Sequence, residues 1–184
     1  MTELMDYSGK FDPNFSNEKF TRETLLKLLK AYSEHILRID GYWYLTVMNK
    51  CGNDTAFECD TEVWEKLALY EVKMIGNLLN IRGDDVVTVM KAVQASPWTW
   101  LYDCDIDLKN DDHAILTYRT CPTLLSLEKE GTGRERQICQ ELEPRLMGIH
   151  AHYFNPNIRV TPLKLPPRKS DSEICCQWEF KLER

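Results

Sequence analysis

Tyr102-Asp103-Cys104-Asp105-Ile106-Asp107-Leu108-Lys109-Asn110-Asp111-Asp112-His113-Ala114-Ile115-Leu116-Thr117-Tyr118 is the stretch that decides the fold class. Tyr102, Cys104, Ile106 and Leu108 alternate with polar neighbours, a period of two that sets them on one face of an extended strand. Lys109 to Asp112 supplies turn residues, and Ala114, Leu116 and Tyr118 alternate on the return, so the stretch predicts an antiparallel hairpin.

Upstream of it the period is helical. Leu25, Leu29, Tyr32, Ile36, Ile39, Trp43 and Val47 recur at steps of three and four, the stripe of an amphipathic helix, with Gly41 as a break or kink between two helices. Gly52 stops this pattern. Asp60 is an N-cap candidate for the next helix, whose face collects Trp64, Leu67, Ala68, Met74, Ile75 and Leu78 before Arg82-Gly83-Asp84 ends it. A shorter helix follows over about residues 85–95. Downstream, Cys121-Pro122 opens a short helical stretch, and Gly131-Thr132-Gly133 leads into a helix from about Gln137 to His152 with Pro144 near its first turn. Ile158 to Leu163 and Ile174 to Leu182 read as two further strands joined by a loop around Pro166-Pro167. Helices first and strands second predict an α+β fold, an N-terminal helical layer packed on a mostly antiparallel sheet of about four strands. Residues 1–17 lack periodicity and read as a loose arm, and 18–184 as a single domain.

Composition narrows the partners. The 184 residues carry a formal net charge of -6, which opposes a broad phosphate-tracking surface, so nucleic acid is not an expected partner. No run approaches the roughly 18 apolar residues of a membrane span, and the start lacks a signal-peptide pattern, so no membrane partner is expected and the location expected is cytoplasmic. Seven cysteines at irregular spacing point to reduced thiols or a metal site, not to a disulfide framework.

Several residues are placed where chemistry would need them. Glu71 sits within an apolar helical face and Asp40 between Ile36 and Trp43, so each carboxylate is either paired or has a raised pKa. They are candidates for general acid and base, for metal ligands, or for partners of Arg119; Glu71 and Arg119 are expected to approach each other inside the fold. Cys139, read at a helix start beside Arg134 and Arg136, is the candidate nucleophile. His150 belongs to the pool of bases, and Trp43, in a cluster of aromatics, to a ligand pocket together with Arg119 and Cys121. Should Cys121, Cys139 and Cys176 converge, a tri-thiolate zinc site is chemically sensible.

The chain resembles a small prokaryotic cytosolic family marked by Asp40-Gly41-Tyr42-Trp43, Val63-Trp64, Asn155-Pro156, Pro166-Pro167 and the closing Cys176-Gln177-Trp178-Glu179-Phe180. That family is similar to the L-2-amino-thiazoline-4-carboxylic acid hydrolase-like proteins and, more distantly, to vinyl-4-reductase-type ligand-binding domains. The resemblance implies an α+β small-molecule-binding scaffold and, in some of the sensors, zinc held by cysteines and a glutamate, with Cys139 and Cys176 in the matching positions. The loop from Leu165 to Glu173, where further ligands are expected, offers Asp171 and Glu173 but no Cys or His. Three roles are therefore expected: a binding protein for a small molecule, a hydrolase of a C–N bond in a small sulfur-containing heterocycle, or a structural or regulatory protein acting as a homodimer.

Overall fold

The computed structural model describes residues 3–183; Met1, Thr2 and Arg184, at the ends of the predicted arm and domain, lie outside them. The order is α1 (Arg22–Cys51), α2 (Asn53–Leu78), α3 (Val86–Gln94), β1 (Asp103–Asn110), β2 (His113–Thr120), α4 (Pro122–Glu130), α5 (Arg134–Gln137), α6 (Glu143–Phe154), β3 (Ile158–Lys164) and β4 (Cys176–Leu182). The strands form one antiparallel sheet in the order β1-β2-β4-β3. The fold is α+β, as the change of period at residue 102 predicts.

Local chemistry sets the helix ends. The Thr21 hydroxyl accepts from Thr24 N–H at 3.2 Å and caps α1, and the Asp85 carboxylate accepts from Thr88 N–H at 2.8 Å to cap α3. Gly52, at φ 89°, both ends α1 and precedes α2, so one residue in a conformation suited to glycine turns the chain into a helical hairpin. Two expectations are corrected here. Gly41 does not break α1, because one interior glycine costs only about 1 kcal/mol relative to alanine, less than the packing of a long helix returns. Asp60 does not cap α2; the helix begins at Asn53, and Asp60 is buried in its second turn.

The phase of α1 is also corrected. Its inward side carries Ser33, Leu37, Asp40 and Tyr44, while Leu29, Tyr32, Ile36, Ile39 and Trp43 remain exposed. The apolar stripe is real and lies outside.

The main core lies between α3, α6 and the inner face of the sheet, with Val86, Val89, Met90 and Val93 against Leu116, Trp178 and Phe180. A second apolar cluster joins Tyr44, Ala56 and Ala68 of the hairpin to Leu124, Leu127, Ile138 and Leu142. The arm closes on itself: Leu4 N–H donates to Lys19 O at 2.7 Å, and Tyr7 stacks on Phe15 with ring centroids 4.4 Å apart.

Helix α5 runs through one π-helical turn, Ile138–Leu142, into α6, so the helix starts at Arg134 and not at Gln137. Pro144 accounts for the widened turn. It has no N–H to donate and its ring would press on the carbonyl of Gln140, a clash relieved by a looser turn just before it, where Glu143 N–H reaches back to Ile138 O.

Candidate functional site

A cavity of about 620 Å3 lies between the α1–α2 hairpin, the 96–102 loop, α4, the helix through α5 and α6, and the end of the sheet. Its wall is built by helical spacing. Asp60, Trp64, Ala68 and Glu71 fall at steps of four, four and three on α2, Asp40 and Tyr44 at a step of four on α1, and Glu143, Met147 and His150 at steps of four and three on α6.

Asp40 and Asp60 meet across the hairpin with their carboxyls within hydrogen-bonding reach. Two carboxylates this close cannot both ionise, so the pair shares a proton. Trp64 Nε1 donates to Asp40 Oδ1 at 2.9 Å, which makes Asp40 the better anion, although burial raises its pKa too. Asp60 is only 3% exposed. Burial first, and the charge of Asp40 second, push its carboxyl up to about 8. Its Oδ1 is buried and accepts no hydrogen bond from any described donor.

Glu71 is held by Ser96 Oγ, which donates to Oε1 at 2.9 Å, and by Trp98 Nε1, which donates to Oε2 at 2.9 Å. Burial raises its pKa and the two donors oppose that rise. His150 Nε2 stands 4.0 Å from Glu71 Oε1, too far for a hydrogen bond, and is a buried atom without a partner among the described residues. Burial pushes the imidazole down to about 4, so it is neutral at physiological pH. Glu143 lines the cavity where α6 begins, and burial pushes its carboxyl up to about 7.

Aromatic rings complete the wall. Trp64 lies 5.4 Å from Trp98, Trp98 lies 6.4 Å from Tyr102, and Tyr102 lies 5.7 Å from Tyr118, centroid to centroid. Arg134 is already engaged: its Nε donates to Glu130 Oε1 at 2.9 Å and its guanidinium sits 4.7 Å over the Tyr44 ring.

A model of a family of unknown function, DUF6125, matches residues 18–182. The chain belongs to that family. No curated protein and no solved structure matches it.

In this DUF6125 member the cavity gathers Asp40, Glu71, Cys121, Cys139, Cys176 and His150 of the residues singled out from sequence. Arg119 and Trp43 are not among them. Arg119 is an exposed side chain 3.7 Å from Asp105, on the face of the sheet opposite Ala114, Leu116 and Tyr118, so the expected pairing with Glu71 does not occur. Trp43 lies one position before Tyr44, about 100° around the helix, and faces outward.

The cysteines differ from expectation in their chemistry. Cys139 is not at a helix start but in the π turn, buried, and burial followed by the nearby Glu143 raises its thiol instead of lowering it. The same two influences act on Cys176, and burial pushes Cys121 up to about 12 while its Sγ accepts from Leu124 N–H at the cap of α4. Among the described residues no three His, Cys, Asp or Glu side chains are arranged to hold a metal ion. The three thiols share a cavity, but among the described residues they are not arranged as the ligand set of a zinc site.

Sequence reasoning passed over Asp60, Glu143, Trp64, Tyr102 and Tyr118 as site residues. One signal was available: the acids and the indole of α2 stand on a single helical face at residues 60, 64 and 71.

Proposed function

We propose that the chain is a small-molecule-binding protein acting in the cytoplasm, with its ligand held in the cavity between the helical layer and the end of the sheet. One observation carries this reading: Asp60 Oδ1 and His150 Nε2, both in the cavity wall, are buried without hydrogen-bond partners among the described residues. Buried polar atoms are nearly always satisfied, so two orphans on one apolar cavity are groups that an occupant completes. The resemblance to ligand-binding scaffolds agrees with this. A hydrolytic role has weaker support: the Asp40–Asp60 pair offers an acid and a base together, whereas the raised thiol of Cys139 disfavours it as nucleophile.

Tryptophan emission provides the test, since Trp64, Trp98 and Trp178 all line the cavity. Phenethyl alcohol, a neutral probe, is expected to shift the emission and raise the melting temperature. Ala68→Phe, which places a ring in the cavity, should abolish both effects. Binding that Ala68→Phe leaves unchanged would show that the cavity is not the site.

A second role, self-association, is favoured by the outer face of α1. Leu29, Tyr32, Ile36, Ile39 and Trp43 are between 39% and 55% exposed and follow steps of three and four, the spacing of a coiled-coil seam. Such a seam is complementary to itself, so its natural occupant is α1 of a second copy. Sedimentation should find a dimer that Ile36→Glu converts to monomer; a monomeric parent chain would overturn the reading.

A further inference from the structure

Taking the cavity as the ligand site, as proposed above, we infer that its ligand is an organic cation: a protonated amine on an apolar body, its ammonium seated between the Asp40–Asp60 pair and the indoles of Trp64 and Trp98.

The charge balance of the cavity carries this. Glu130 and Arg134 cancel as an ion pair. That leaves Asp40, Asp60, Glu71 and Glu143 on the wall, and neither remaining basic side chain there satisfies them. Lys129 is exposed, and His150 is neutral, its Nε2 without a partner among the described residues. Buried carboxyls without a cation are kept only by holding protons, and a cationic ligand removes that cost by taking the protons' place. Asp60 is itself buried, 3% exposed, and one of its oxygens has no donor among the described residues.

The rings favour the same charge. Indole and phenol faces carry negative potential and attract an ammonium within about 6 Å of the ring centroid. Trp64 donates to Asp40 Oδ1 and lies 5.4 Å from Trp98, centroid to centroid, with the rings tilted by 53°, so a carboxylate and two indoles occupy one corner of the cavity. An anionic ligand would face four acids there, and the one cationic side chain of the wall outside the Glu130–Arg134 pair, Lys129, is exposed. A bare metal ion lacks its ligand set, because no three His, Cys, Asp or Glu side chains converge among the described residues. An ammonium needs only one carboxylate and an aromatic wall, and the roughly 620 Å3 of space accommodates its apolar body.

Three probes with closely related skeletons decide the matter on the full chain: phenethylammonium, phenethyl alcohol and hydrocinnamate, titrated by calorimetry at about pH 8, where an alkylammonium is still protonated. The ammonium is expected to bind at least about tenfold more tightly than the alcohol, a difference of about 1.4 kcal/mol, with the carboxylate weakest. In Asp60→Asn the preference for the ammonium over the alcohol should disappear; Asp40→Asn gives the same reading if Asp60→Asn does not fold. Alcohol or carboxylate binding as tight as the ammonium would overturn the cation and leave the cavity reading standing. Failure of all three to bind would overturn both.

Discussion

Glu71 is buried where the periodicity of α2 places it, yet a hydroxyl and an indole hold it in place of the guanidinium anticipated from sequence. The partner decides what its loss does. Glu71→Ala would leave Ser96 Oγ and Trp98 Nε1 as buried donors without an acceptor and open space beside them, so it should destabilise the chain by about 2–3 kcal/mol. Arg119→Ala should change stability by less than about 0.5 kcal/mol, because its ion pair with Asp105 is exposed on both sides. Urea unfolding of the two variants separates these cases, and equal costs would mean that the two side chains act together after all. The burial of Glu71 was legible because it needs only the helical period. Its partners were not, because Ser96 and Trp98 lie 25 and 27 positions away in a loop, and nothing in the local pattern aims a loop side chain.

Whole elements were legible wherever one period persists. The β1–β2 hairpin, α3 and the two closing strands stand within a few residues of their predicted bounds. The phase of α1 failed for a definite reason. A stripe of leucine, isoleucine and aromatic side chains ordinarily marks the buried face, but here that stripe is exposed and the inward face carries Ser33, Asp40 and Tyr44. An element that turns Ser33, Asp40 and Tyr44 inward and leaves an apolar seam outside inverts the usual rule. Gly41 belongs to the same inversion. It lines the cavity inside a continuous helix, and a Cβ there would meet nothing within 4 Å. Gly41→Ala should therefore raise stability by about 0.5–1 kcal/mol through helix propensity alone. A fall in the melting temperature would show that the helix needs its glycine.

At the scale of the whole molecule the cavity could not be read in advance, since α1, α2, the 96–102 loop, α4, α6 and the sheet each contribute part of its wall. Assembly also sets how stability responds to pH. Asp60, raised to about 8, and Glu143, raised to about 7, hold protons in the folded chain that the unfolded chain releases near pH 4. Asp60 is faced by Asp40 and Tyr44 from α1 and by Arg134 from α5, and Glu143 stands beside the thiols of Cys121, Cys139 and Cys176. The contribution of such raised acids is full below the unfolded pKa and is lost as pH rises through the folded one. His150, lowered to about 4, acts in the opposite sense: its contribution is present above about 6.5 and is lost as pH falls towards 4. Below about pH 6.5 the histidine offsets part of the carboxyl slope. Between about pH 6.5 and 8 it no longer does, and stability should fall with rising pH at up to about 1.4 kcal/mol per unit for each carboxyl still protonated in the fold. Asp60→Asn keeps the shape of the side chain and cannot ionise. Melting curves across that window should show a shallower fall for Asp60→Asn than for the parent chain, with the variant the more stable of the two at pH 8. Parallel curves would mean that Asp60 is already ionised in the folded protein, and that the proton shared with Asp40 is not there to be lost.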